Sequence, residues 1–200
     1  MLGFFGRTTV QHLGPVRRAF LLCVLATFGI LASTPVWGRG LTILHVSIFH
    51  QRAVYYLNTR MRIRLNPSAR HALKIGIPVV LKLEIAINHH NAWFWQGPIA
   101  HLTQRFSIQD QLVSGQVVVR DLNSGTRVYF RKVHTALHSI EAIRHIPVID
   151  SSLLRINHVY RIRVKAVLDI EKIPSNLKWI AWIWSSWRTA SPSYSIVIRP

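Results

Sequence analysis

Four residues between positions 134 and 145 have types and spacing that could do chemistry. His134, His138 and Glu141 follow at i, i+4 and i+7, with His145 four residues further on. On a helix, at about 100° per residue, the first three share one stripe. Two imidazoles one turn apart can hold zinc or copper through ring nitrogen. The same spacing also arises on the polar flank of an ordinary helix, and the chain has 11 histidines. A metal site on His134 and His138 is therefore the rival reading rather than the leading one. His89-His90 offers less, because neighbours on a strand point to opposite faces.

Other chemistries find little to work with. General acid–base catalysis asks for carboxyl groups across a cleft, and the chain has seven acids: Glu84, Asp110, Asp121, Glu141, Asp150, Asp169 and Glu171. Asp150 and Asp121 read as cap and turn residues, and Asp169 and Glu171 share one strand face. No G-x-S-x-G elbow and no glycine-rich phosphate loop occurs. The single cysteine, Cys23, lies in an apolar run. The residues thus point to a protein without catalytic groups or cofactor.

Aromatic and basic residues point instead to binding. Trp93, Phe94 and Trp95 alternate in a short loop, where they are hard to bury together. Exposed rings there would form a patch for a partner. Trp179, Trp182, Trp184 and Trp187 cluster between Lys178 and Arg188; they suit a membrane interface, a protein hot spot or a core segment under a sheet. The candidate binding residues are Trp93, Phe94, Trp95, Arg105 and Trp187. Arg60, Arg62 and Arg64, alternating with Met61, Ile63 and Leu65, read as the wet face of a half-buried strand.

The elements that must position these residues are mostly of period two. Strands are expected at 42–50, 53–65, 77–90, 99–109, 116–122, 126–130, 157–170 and 194–198. Asn66-Pro67 signals a helix start, with Ala69, Ala72 and Leu73 inward and Gly76 at its end. Asn123-Ser124-Gly125 is a hairpin turn. A second helix is expected over 132–144 from Val133, Ala136, Leu137, Ile140 and Ile143, with Pro147 stopping it. Asp150 can cap one further turn. The fold expected is mainly β: an antiparallel, sandwich-like domain of seven to nine strands, with two short helices in connections.

Residues 1–38 read as a separate leader. Arg7, Arg17 and Arg18 precede the uncharged run Ala19 to Ala32, then Ser33-Thr34-Pro35 and Val36-Trp37-Gly38. Basic, apolar and small residues in that order describe a secretory signal. Extended to Trp37, the run could instead be an uncleaved membrane anchor. Either way the positive-inside rule sends residues 39–200 across the membrane, to the periplasm or the periplasmic face of the inner membrane. Of the 25 Lys and Arg, three precede the cut, leaving 22 against 7 acids, a formal +15. Beyond an export signal such charge implies an anionic membrane surface, polysaccharide or acidic protein rather than nucleic acid.

Several pieces in order carry a resemblance: the arginine strand into "LNPSARHAL", "GIPVVLKLEI", the "WFW" loop, "LTQRFSI", "LNSGTRVYF", "PVIDSSLL", "YRIRVKAVLDIEKIP" and "SSWRTAS". The chain resembles a proteobacterial family of exported proteins classed as a domain of unknown function, some labelled proline-rich signal peptide protein. Genes of that family often lie beside a membrane sensor histidine kinase of the nitrogen-regulation type. The resemblance implies a signal or anchor segment, one β-rich domain, and an envelope accessory of that signalling system with a protein partner. The chain departs from the pattern at Ser186, where an acid is expected before Trp187, and at Pro192 in the last hairpin.

Overall fold

Alternate residues of the strand Val79–His89 are apolar, and Val79, Leu81, Leu83, Ile85 and Ile87 are all fully buried. Each such side chain contributes about 1.5–3 kcal/mol relative to exposure. This strand is the spine of the larger sheet because its period-two pattern is unbroken. The structure, a computed structural model, describes residues 40–92, 96–170 and 188–200, all within one compact unit spanning residues 37–200.

The order of elements is β1 (Leu41–Gln51), β2 (Val54–Ile63), α1 (Pro67–Lys74), β3 (Val79–His89), β4 (Ala100–Gln111), β5 (Gln116–Asp121) and β6 (Arg127–Phe130). Then come α2 (Val133–Ser139), β7 (Ala142–Asp150), a 3-10 turn (Ser151–Leu153), β8 (Tyr160–Ile170), β9 (Thr189–Ala190) and β10 (Tyr194–Ile198). All pairings are antiparallel. One sheet has the order β1-β2-β7. The other, of seven strands, has the order β10-β8-β3-β4-β5-β6, with β9 beside β8. One apolar cluster draws on both sheets and both helices, from Leu57 and Met61 through Ala72, Leu83 and Ala136 to Ile162. The expected sandwich-like β architecture is the one observed, with both helices in connections.

Local chemistry sets the first helix as expected. Asn66 is extended, and its side chain accepts the Ala69 N–H at 2.7 Å. Pro67 occupies the first turn, and Ala69, Ala72 and Leu73 are buried. The chain leaves through Gly76 at φ +77°, which only glycine adopts without strain. At the β5–β6 hairpin, Asp121 Oδ1 accepts N–H groups from Asn123 and Ser124, and Gly125 takes φ +78°.

Two expectations need correction. The second helix ends at Ser139, not 144, and residues 142–150 form the strand β7 with Pro147 inside it. Ile143 had the spacing to continue the helix, but it pairs with Thr59 on β2. The register slips here: Leu57 meets Ile146 while Thr59 meets Ile143, so Asn58 faces two residues. That is a bulge. His145 takes φ +58° within it, and its N–H donates to Asn58 Oδ1 at 2.9 Å. The strand lies at a sheet edge, where a proline is tolerated. With β7 and the two-residue β9, the described strands number ten rather than seven to nine. Pro192 sits between β9 and β10, which both pair antiparallel with β8, and Ser191 Oγ there accepts the Ala166 N–H at 3.0 Å.

Candidate functional site

Most apolar residues of β3, β4 and β8 point to the core, and the alternate set, which includes the buried Val80 and Val167, lies on the sheet's other face. Directly paired residues share a face, and the register therefore assembles the outer surface. Lys82 stands opposite Arg105. Lys165 stands opposite Glu84, Arg163 opposite Ala86 and Arg161 opposite Asn88. Arg120 is paired with Ser107 on one side and Arg127 on the other. Among the described residues the acids on this face are Glu84 and Asp169, the latter bound to Lys82 at 3.0 Å. Lys82–Arg105 and Arg120–Arg127 place like charges directly across strands, which is destabilising. A surface shaped only for solubility would mix the signs.

Arg105 lies in the middle of this face. Its N–H donates to Asn123 Oδ1 at 2.9 Å and its carbonyl accepts from Leu122. The loop that joins β3 to β4 leaves from another place, beside Arg161 and Arg163. There Asn88, His89, His90, Ala92, Gln96, Arg161 and Arg163 line a pocket of about 290 Å³. Arg105 stands five residues along β4 from its start at Ala100, and the described residues at the ends of the β3–β4 loop have Arg161 and Arg163 beside them. Trp93, Phe94, Trp95 and Trp187 lie outside the described residues. Asn88, Arg161 and Arg163 were missed as site residues. Their signal was positional: Arg161 and Arg163 alternate with the apolar residues of the cleanest strand.

The histidine stripe does not persist as one helical face. His138 Nδ1 lies 2.9 Å from Glu141 Oε2, and Glu141 Oε1 accepts the Ile63 N–H at 2.9 Å. Glu141 is past the end of α2. Partial burial pushes its carboxyl pKa up, but the hydrogen bonds from His138 and Ile63, with the charges of His138 and Arg62, outweigh that and hold it below the usual range. The His134 ring meets the Thr135 hydroxyl at 3.3 Å. His145, in the β7 bulge, packs edge-on against Phe49 with centroids 5.5 Å apart. Among the described residues no group of three or more His, Cys, Asp or Glu is placed to hold a metal ion.

A second, apolar cavity of about 470 Å³ lies between α1, α2 and the end of β2. Ile63, Leu65, Leu73, Val133 and Leu137 line it, with Arg64, Arg70, Lys74 and Asp110 among them. No helix among the described residues is long and apolar enough to cross a membrane; the apolar run Ala19 to Ala32 lies outside those residues.

Comparison with known proteins gives one match. The family model described as "Domain of unknown function (DUF4390)" covers residues 39–197. No curated protein and no solved structure matches the chain.

Proposed function

We propose that this chain, which belongs to the Domain of unknown function (DUF4390) family, is an exported, non-catalytic binding module that holds an acidic protein partner in the cell envelope. The contact surface is the outer face of the seven-stranded sheet. The observation that carries this reading is the like-charged pairing of Lys82 with Arg105 and Arg120 with Arg127. Such pairs are destabilising, the first partly offset by the Lys82–Asp169 ion pair at 3.0 Å, and a bound anionic surface relieves the repulsion. The leader's order of basic, apolar and small residues supports delivery to the periplasm or to the periplasmic face of the inner membrane. The resemblance to a family encoded beside sensor kinases supports a membrane sensor histidine kinase as the partner.

The test is a photo-crosslinking residue at position 105 or 120 in living cells, read with and without the double charge reversal Lys82→Glu, Arg127→Glu. The expected result is one discrete crosslinked protein that contains the sensor kinase and disappears with the reversal. Crosslinks to lipid alone would replace the protein partner with an anionic membrane surface. Crosslinks unaffected by the reversal would remove the basic face from the function.

A further inference from the structure

Of the residues of α2 only Ala136 is buried. Val133 and Leu137, one turn apart, stay half-buried. They face the cavity of about 470 Å³ whose other apolar walls are Leu73 of α1 and Ile63 and Leu65 at the end of β2. Apolar side chains here line a space instead of closing it, so each wall forgoes the contacts that packing would supply. Cavities of about 300–1,000 Å³ with apolar walls and a few polar groups are the usual seats of small molecules. Each element around this one lies within the described residues.

The polar groups say what kind of molecule fits. Arg64, Arg70 and Lys74 line the cavity, against one acid, Asp110. Arg70 and Lys74 stand one turn apart on α1, where like charges repel. Among the described residues the ion pairs are Lys82–Asp169 and His138–Glu141, and none of these three cations is in one. The Arg70 guanidinium is held over the end of β2 by a 3.3 Å bond to the Leu65 carbonyl. That bond leaves most of its N–H groups for another acceptor. Asp110 belongs to the far end of α1, where its carbonyl oxygen lies close to Gly76. The Leu65 end of the cavity is therefore the cationic one.

The remainder of the occupant must be apolar. The β2 backbone beside the cavity is already paired, the Ile63 N–H with the Glu141 carboxylate and the Leu65 carbonyl with Arg70. A peptide entering along β2 would carry its own N–H and C=O groups into an apolar space without partners. A hydrocarbon chain carries none. At about 30 Å³ for each water-sized group, 470 Å³ has room for roughly a dozen methylenes.

We propose that this cavity seats a long-chain fatty acid, with its acyl chain against Leu65, Val133 and Leu137 and its carboxylate on Arg70. Arginine and carboxylate commonly pair through two parallel hydrogen bonds, and Arg64 adds a second cation at the same end. None of Lys82, Arg105, Arg120 and Arg127 lines the cavity. The site goes beyond the acidic-partner reading and does not rest on it.

The test is photolabelling of the full chain, in an uncharged sterol-type detergent, with dodecanoate that carries a diazirine at the end of its chain. Mass spectrometry then maps the labelled residues. Saturable labelling is expected within residues 63–73 or 133–137. Unlabelled dodecanoate should displace the probe, dodecanol about tenfold less well, and acetate not at all. Arg70→Gln should raise the half-saturating dodecanoate concentration about tenfold. Leu137→Trp, which fills the cavity, should abolish labelling. Arg70 is exposed and Leu137 half-buried, so unchanged urea midpoints in both variants assign the losses to the site and not to the fold. Arg120→Gln, outside the cavity, should leave labelling unchanged. Equal displacement by dodecanol, labelling indifferent to Leu137→Trp, or no saturable labelling would overturn the proposal. Absent labelling, together with loss of the crosslinked partner in Leu137→Trp, would give the cavity to a segment of that partner instead. Labelling as expected without any crosslinked partner would leave this site standing and remove the acidic-partner reading.

Discussion

The Ile63 N–H donates to the Glu141 carboxylate at 2.9 Å across 78 positions of chain. Glu141 also accepts the Met61 N–H at its own carbonyl, at 2.7 Å. The β2–β7 ladder runs out at Arg60 and Ala142. A single residue at the junction of α2 and β7 therefore carries on the work of the ladder and ties the end of β2 in place.

Replacing Glu141 tests this in a pH-dependent way. Its pKa is lower in the folded chain than in the unfolded one. The unfolded state thus binds the proton first as pH falls, and the stabilisation is present above the unfolded value and lost through the folded one. Glu141→Gln keeps an acceptor for Ile63 but loses the charge. It is expected to cost about 1 kcal/mol at neutral pH, and Glu141→Ala about 2 kcal/mol. Urea unfolding from about pH 7 down to 3 should show the gap between wild type and Glu141→Gln closing below the ordinary glutamate pKa of about 4.3. A gap that widens as pH falls would contradict the assignment.

Asn66 caps α1 through a 2.7 Å bond to the Ala69 N–H. Asn66→Ala should lower the unfolding free energy by about 1 kcal/mol, and Asn66→Asp should retain most of it. Denaturant midpoints of the two variants check this; equal losses would mean the side-chain oxygen is not the cap.

Leu83 is fully buried at the centre of β3, between β4 and β8. Leu83→Ala is expected to cost about 2–5 kcal/mol through lost transfer energy and a cavity. Total stability for such a domain is about 5–15 kcal/mol. The variant should therefore melt well below wild type by circular dichroism, whereas Val197→Ala, at an exposed site on β10, should change little.

Gly40 has no room for a side chain. A Cβ there would lie 2.5 Å from the Arg64 carbonyl oxygen, which is backbone and cannot swing away. Gly40→Ala should push the start of β1 from β2 and cost about 1–3 kcal/mol. Hydrogen exchange should quicken at Leu41 to Ile43. Gly97→Ala meets nothing within 4 Å and should be neutral; a comparable loss there would remove the steric account.

Some features could be read directly because their causes are local. The Asn66 cap, the glycine at 76, the Asp121 turn and the alternation of β3 and β8 each depend on a few neighbouring residues and on period two. The architecture of a sandwich-like β protein followed from counting those strands. The wet face of Arg60, Arg62 and Arg64 was legible for the same reason, and all three are exposed.

By itself, the sequence determined which residues prefer strands, where the first helix begins, and that cations far outnumber acids, because propensity, capping and charge are properties of short segments. Only the tertiary structure decided that Ile143 would pair with Thr59 instead of extending α2, because a bulge held by Asn58 and His145 is a contact between distant segments. It alone decided which cations meet across strands, since register is a relation between chains of residues and is invisible along any one of them. It also set Asn88 opposite Arg161, a pairing that no spacing along the chain could reveal.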